Sequence, residues 1–194
     1  MQIKIRSFIG GAALLCSSLV QAEWSLDNEV SAFYYVTSKA SAVSEINTFT
    51  ELSGAISEQG AATLVIDLSS VDTTLEARDE RMRNIVFQVE EHPEAIVSLA
   101  VDAAALDAMA AGSSSSADYS VTVNLRGMDV AVDATLQLIK LDADSVQVQL
   151  SKPLLVGAAS FGLTEAVEEL RELAGLPAIN PNVVVDFTLV YHKQ

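Results

Sequence analysis

The chain has 194 residues, half of them hydrophobic, with 26 acidic against 11 basic side chains and a formal charge of −15. A surface so acidic repels nucleic acid and anionic lipid headgroups, so neither is an expected partner. The length suits one domain with one sizeable core.

Residues 1–22 read as a cleaved signal peptide. Lys4 and Arg6 form a positive start, Phe8 to Val20 an apolar or small stretch, and Val20-Gln21-Ala22 a small-residue cleavage site. The apolar run is shorter than the ~20 residues that cross a bilayer, so an integral membrane protein is not expected and the predicted destination is the periplasm. Cleavage after Ala22 removes Lys4, Arg6 and Cys16, leaving nine bases against 26 acids, a charge near −17, and no cysteine. Disulfides, thiolate nucleophiles and sulfur-ligated metals are then not expected. Residues 23–194 form the predicted folded domain.

Period-two alternation dominates from Glu23 onward and predicts eight strands: 30–37, 43–56, 61–71, 95–102, 119–127, 129–141, 144–152 and 182–192. The phase slips between Val43 and Ile56, which predicts a bulge near Phe49. A short charged helix is expected within Ser69–Phe87, where Asp79 and Arg83 stand in the favourable acid-first i,i+4 order. Ala103–Ala111 suits a helical turn and Ser113–Ser116 a flexible surface loop. Tyr119–Arg126 alternates without a fault, and Val183, Val185, Phe187, Leu189 and Tyr191 share one face of the last strand. One further helix is expected over Thr164–Ala174, with Thr164 as N-cap, Val167, Leu170 and Leu173 on one face, and Gly175 as the stop. An antiparallel sheet of eight strands with one apolar face removes its edges best by closing on itself. Rows of Ser, Thr, Gln and Asp cannot face lipid, so the apolar rows turn inward. The predicted fold is all-β: a closed eight-stranded antiparallel barrel, one end capped by the charged helix. Such an interior is either just filled by side chains or holds one small apolar ligand.

Ser70-Val71-Asp72-Thr73, Ala77-Arg78-Asp79 and Arg81-Met82-Arg83-Asn84, followed by Phe87 and Pro93, resemble the central motif of the YceI-like family of exported bacterial proteins. Phe49 with Gly54, and Leu125-Arg126-Gly127, are similar to flanking pieces of the same pattern. The resemblance implies a lipocalin-like eight-stranded barrel whose characterised members hold a polyisoprenoid or a similar long-chain amphiphile. The hydrophobic partner expected here, an isoprenoid or other lipid, rests on that resemblance together with the inward apolar rows.

Candidate lumen residues are Phe33, Tyr35, Phe49, Met82, Phe87, Leu99 and Phe161. Asp72, Arg78, Asp79 and Arg83 are expected to build the cap, the arginines pairing with Glu76, Asp79 and Glu80 rather than holding an anionic headgroup. His92 and His192, the only histidines, stand in no metal-ligand or catalytic spacing. Ser160 lacks the leading glycine of a nucleophile elbow. No catalytic residue, metal or cofactor is expected. The function predicted is an exported carrier. The alternative is a non-carrying periplasmic interaction or stress-related protein whose barrel is filled.

Overall fold

The computed structural model describes residues 22–40 and 43–194. The expected signal peptide, Cys16 included, lies outside them apart from Ala22. Among the described residues twelve strands follow one another: β1 (Ala22–Leu26), β2 (Ala32–Lys39), β3 (Val43–Phe49), β4 (Leu52–Ser57), β5 (Ala61–Asp67), β6 (Val71–Asp72), β7 (Glu94–Ala100), β8 (Ser114–Leu125), β9 (Met128–Lys140), β10 (Ser145–Leu150), β11 (Leu154–Gly157) and β12 (Asn182–Lys193). The helices are α1 (Glu76–Arg81), α2 (Ala103–Asp107) and α3 (Thr164–Leu173), and α1 runs on into a π-helical turn over Met82–Phe87.

These twelve pieces form eight staves, because four staves are broken once. β1 and β2 both pair antiparallel with β12, and β3 and β4 continue one another beside them. β5 and β6 are likewise one bent stave, as are β10 and β11. The ring runs β12, β1, β4, β5, β7, β8, β9, β10 and back to β12, every pairing antiparallel. The expected closed eight-stranded barrel is therefore the fold observed.

Three of the breaks stand side by side, and local groups satisfy the backbone they expose. Asn28 imitates a strand there: its Nδ2 donates to Thr50 O at 2.9 Å and its Oδ1 accepts from Leu52 N at 2.8 Å. Beside it, Asp67 N donates to Glu51 O at 3.1 Å and Thr50 N to Ser70 O at 3.1 Å. Buried backbone groups must be paired somewhere, so a bend shared by neighbouring staves is met by bonds across the bend. The bulge expected near Phe49 is this interruption at Thr50–Glu51.

Several local expectations need correction. Ser114–Ser116 is strand, paired with Ile139, Leu138 and Gln137, because cross-strand partners outweigh the weak strand preference of serine. β1 and β11 add to the eight expected strands; both are short and acquire their strand character from β12. Thr164 is the first residue of α3 rather than its cap; Leu163 stands before it with no side-chain cap bond. The β8–β9 turn is Arg126–Gly127, with φ of 52° and 73°, as a two-residue type I′ hairpin requires. Gly54 is needed for close approach: a Cβ there would lie 2.6 Å from Thr63 O and 3.1 Å from Tyr191 Oη.

One end of the barrel is closed by Trp24, fully buried, with the equally fully buried Val146 and the nearly buried Leu106 of α2. Lys140 is 2% exposed, and its Nζ, which lacks a hydrogen-bond partner, stands 4.2 Å from the centre of the Trp24 ring. The ring face supplies part of its stabilisation, and the Asp107 carboxylate lies close enough to feel the Lys140 charge. Lys193 Nζ lies 5.5 Å from the same ring and ties β12 to Asp107 of α2 at 2.7 Å and to Glu23 at 3.0 Å. Trp24→Ala should remove about 3–5 kcal/mol of stability, read as a lower urea midpoint. A loss below about 1 kcal/mol would show that the closed end does not rest on this side chain.

Candidate functional site

Inside the barrel lies a cavity of about 300 Å³ with an almost wholly apolar wall. Alternation builds that wall: Leu64 and Ile66 of β5, Val121, Val123 and Leu125 of β8, Val132, Ala134, Leu136 and Leu138 of β9, and Val185, Phe187 and Leu189 of β12 all face it. The volume is roughly twice that of an apolar cavity known to admit benzene, so about a dozen carbon atoms fit without rearrangement. The barrel is not a filled core.

All seven candidate lumen residues border this space: Phe33, Tyr35, Phe49, Met82, Phe87, Leu99 and Phe161. Four of them form one aromatic group, with Phe49 at its centre. Its ring lies 6.0 Å from Phe33, 5.6 Å from Tyr35 and 5.6 Å from Phe87. Phe187 stacks on Phe33 at 6.4 Å. Phe187, and Val167 and Leu170 of α3, also border the cavity beyond the seven expected residues. Their signal was present in the apolar face of each element. Leu173, expected on the same face of α3, is instead exposed.

The other end carries the cap, held chiefly by Asp79. This carboxylate is 6% exposed, and its Oδ1 accepts from the N–H of Thr73 at 2.8 Å and from the Thr73 hydroxyl. Asp72 Oδ1 accepts from Thr74 N at 2.7 Å, which fixes Thr74 at a φ of 64°. For a β-branched residue that conformation is a true outlier. Arg78 reaches Glu45 of β3 at 2.7 Å and also donates to Thr73 O. Arg83 pairs with Glu76 at 2.6 Å. The expected Asp79–Arg83 pairing is therefore not formed; Asp79 turns toward the strand end while Arg83 reaches back along α1. Arg126 anchors the far side, donating to Gln88 Oε1 at 2.6 Å and to Val86 O at 3.2 Å. Of the pairings expected with Glu76, Asp79 and Glu80, the Arg83–Glu76 pair is present, whereas Arg78 turns to Glu45 instead; Met82 and Phe87 border the cavity.

Titratable groups elsewhere do not converge on the lumen. His92 lies in the loop between the cap and β7. His192 Nδ1 is 3.1 Å from Ser145 Oγ, and its Nε2 is 3.2 Å from Asp27 Oδ2. This serine, histidine and aspartate are in line, but Ser145 is 7% exposed and is the direct cross-strand partner of His192. A buried hydroxyl gives no room for an acyl carbon; the three residues clamp β10, β12 and the bend after β1. Among the described residues no three His, Cys, Asp or Glu side chains group as metal ligands. No described helix is long and apolar enough to cross a membrane.

Residues 24–191 match the family model of the YceI-like domain, and the chain belongs to that family. No curated protein matches it. Among solved structures it resembles a polyisoprenoid binding domain from Saccharophagus degradans implicated in plant cell wall breakdown. The two are 39% identical, with a TM-score of 0.88 over 90% of this chain and 100% of that one. It shares its fold with BcnA of Burkholderia cenocepacia, at 14% identity and a TM-score of 0.66 over 85% of this chain and 98% of the other.

Two outcomes test the cap. Asp79→Ala leaves the Thr73 N–H and hydroxyl unmatched, a cost of about 1–3 kcal/mol. Trypsin should then cut faster after Arg78, Arg81 or Arg83, and Asp79→Asn should restore much of the resistance. Glu45 gives a pH dependence. Burial would raise its pKa, but hydrogen bonds from Lys39 and Arg78, with their charges, outweigh burial and hold it below its ordinary 4.5. A depressed carboxyl stabilises fully above its unfolded range and loses that contribution as the pH falls through the lower folded value. The stability difference between wild type and Glu45→Gln, at most about 1 kcal/mol for so exposed a cluster, should be present at neutral pH and vanish in acid. A difference that persists in acid contradicts the assignment.

Proposed function

We propose that this YceI-like protein is an exported carrier that holds an isoprenoid or similar long-chain amphiphile in its barrel. The observation that carries the reading is the apolar cavity of about 300 Å³ at the centre of a closed fold. Such a space is costly to leave empty or wet and has no catalytic group facing it. The 39%-identical relative described as a polyisoprenoid binding domain supports an isoprenoid ligand. The pattern of residues 1–22 supports export to a periplasm. Binding rather than catalysis accounts for the site: its wall supplies burial, and Ser145 and His192 lie away from it.

Burial alone gives useful affinity. About a dozen buried carbons at ~0.8 kcal/mol each yield roughly 10 kcal/mol, from which association removes at least ~4. The remainder corresponds to a Kd on the order of tens of micromolar, and chain atoms lying along the mouth add to it. A filled barrel acting only through its loops does not agree with the open lumen.

Native mass spectrometry of the protein taken from its own periplasm is the direct test. A bound mass that an organic extract releases as lipid is expected; a clean apo mass with an empty extract overturns the carrier reading. Ala134 offers a second test, being 7% exposed and bordering the cavity from β9. Ala134→Phe should occupy the space and weaken farnesol binding at least tenfold while the circular dichroism spectrum stays unchanged. Undiminished binding would place the ligand elsewhere.

A further inference from the structure

Within the apolar wall one polar group has no counterpart. Tyr35 is 6% exposed, stands on the inward face of β2 with Phe33, and borders the cavity. Its hydroxyl is buried and has no hydrogen-bond partner. Tyr191, another cavity tyrosine, is different: its hydroxyl donates to Thr63 O at 3.4 Å. A buried hydroxyl left unmatched costs about 1–3 kcal/mol, a cost removed when something in the cavity accepts a hydrogen bond from it.

We propose that the Tyr35 hydroxyl is the polar anchor of the cavity, donating a hydrogen bond to an oxygen atom of the ligand and so favouring oxygen-bearing isoprenoids over plain hydrocarbons of equal length. This rests on the carrier reading and adds the chemical class and the orientation of the ligand. Burial, and then the Asp79 charge, push the phenol pKa up, so Tyr35 remains a donor at neutral pH. The Tyr35 ring packs 5.6 Å from Phe49, which packs 5.6 Å from Phe87 in the turn that continues α1, so the phenol stands at the α1 cap rather than at the Trp24 end. Arg78 Nε is also unmatched, but Arg78 does not border the cavity. The oxygen-bearing head therefore lies under the cap, and the tail runs toward Ile56 and Leu106.

Three probes of one carbon skeleton isolate this bond: farnesol, farnesyl methyl ether, which accepts but cannot donate, and farnesene, which does neither. Their affinities for the lipid-stripped full protein are measured by fluorescence displacement. Wild type should bind the alcohol and the ether alike, each roughly three- to tenfold tighter than farnesene. Tyr35→Phe keeps the ring packed on Phe49 and should erase that preference by weakening the two oxygen-bearing probes alone. An ether that binds wild type no better than farnesene overturns the anchor, whether or not the variant folds. So does a Tyr35→Phe protein that retains the wild-type preference. If none of the three probes binds wild type, the carrier reading itself fails and the anchor falls with it.

Discussion

Everything in this molecule depends on the ring being closed, and one of the shortest pairings in the ring closes it. β1 pairs with β12 through Trp24 with Lys193, Ser25 with His192 and Leu26 with Tyr191, and with β4 on its other side. Unpaired strand edges are sites of aggregation, and β1 removes the two that would remain at β4 and at the C-terminal end of β12. Trp24 fills the closed end with its indole and gives Lys140 a π face. The same few residues therefore complete the sheet, plug its base and give the buried Lys140 side chain a partner.

Closure sets the number of staves, but the breaks in them set what the barrel contains. A stave can bend away from the ring's path, provided the backbone groups it exposes are met. Asn28, Glu51, Asp67 and Ser70 meet them at the three adjacent bends. Above the bends, β2, β3 and β6 carry the aromatic group and the cap; below them, the staves converge on Trp24. The cavity therefore lies between two unlike ends, one filled by Trp24 and the other covered by the aromatic group and the cap.

Legibility in the sequence followed the same division. Long unbroken alternation, as in Tyr119–Arg126 or Val183–Tyr191, exposed the barrel, because one buried and one solvated face leave a period-two record. β1 and β11 left little record: four or five residues hold too few alternations, and their pairing is decided by β12. Ser114–Ser116 was obscured for a related reason, since serine carries weak strand preference and its partners lie more than twenty positions away. All seven candidate lumen residues border the cavity, yet the cavity itself was illegible. Side-chain volumes can be read from a sequence, but the space left between them depends on where four staves bend.

The cap and the lumen differ in how much their residues can vary, and this explains where the family motif lies. Asp79 must accept from both groups of Thr73, Asp72 must hold Thr74 in a left-handed conformation, and Arg78 must span from Thr73 to Glu45. Each of these bonds prescribes a residue type, because donor count, acceptor count and reach admit few substitutes. The lumen asks only for apolar surface of suitable size, which valine, leucine, isoleucine and phenylalanine supply interchangeably. A recognisable motif therefore accumulates over the mouth, where it identifies the fold. The wall beneath carries no such pattern, and a single phenol is distinguished there from its neighbours by one unmatched hydroxyl.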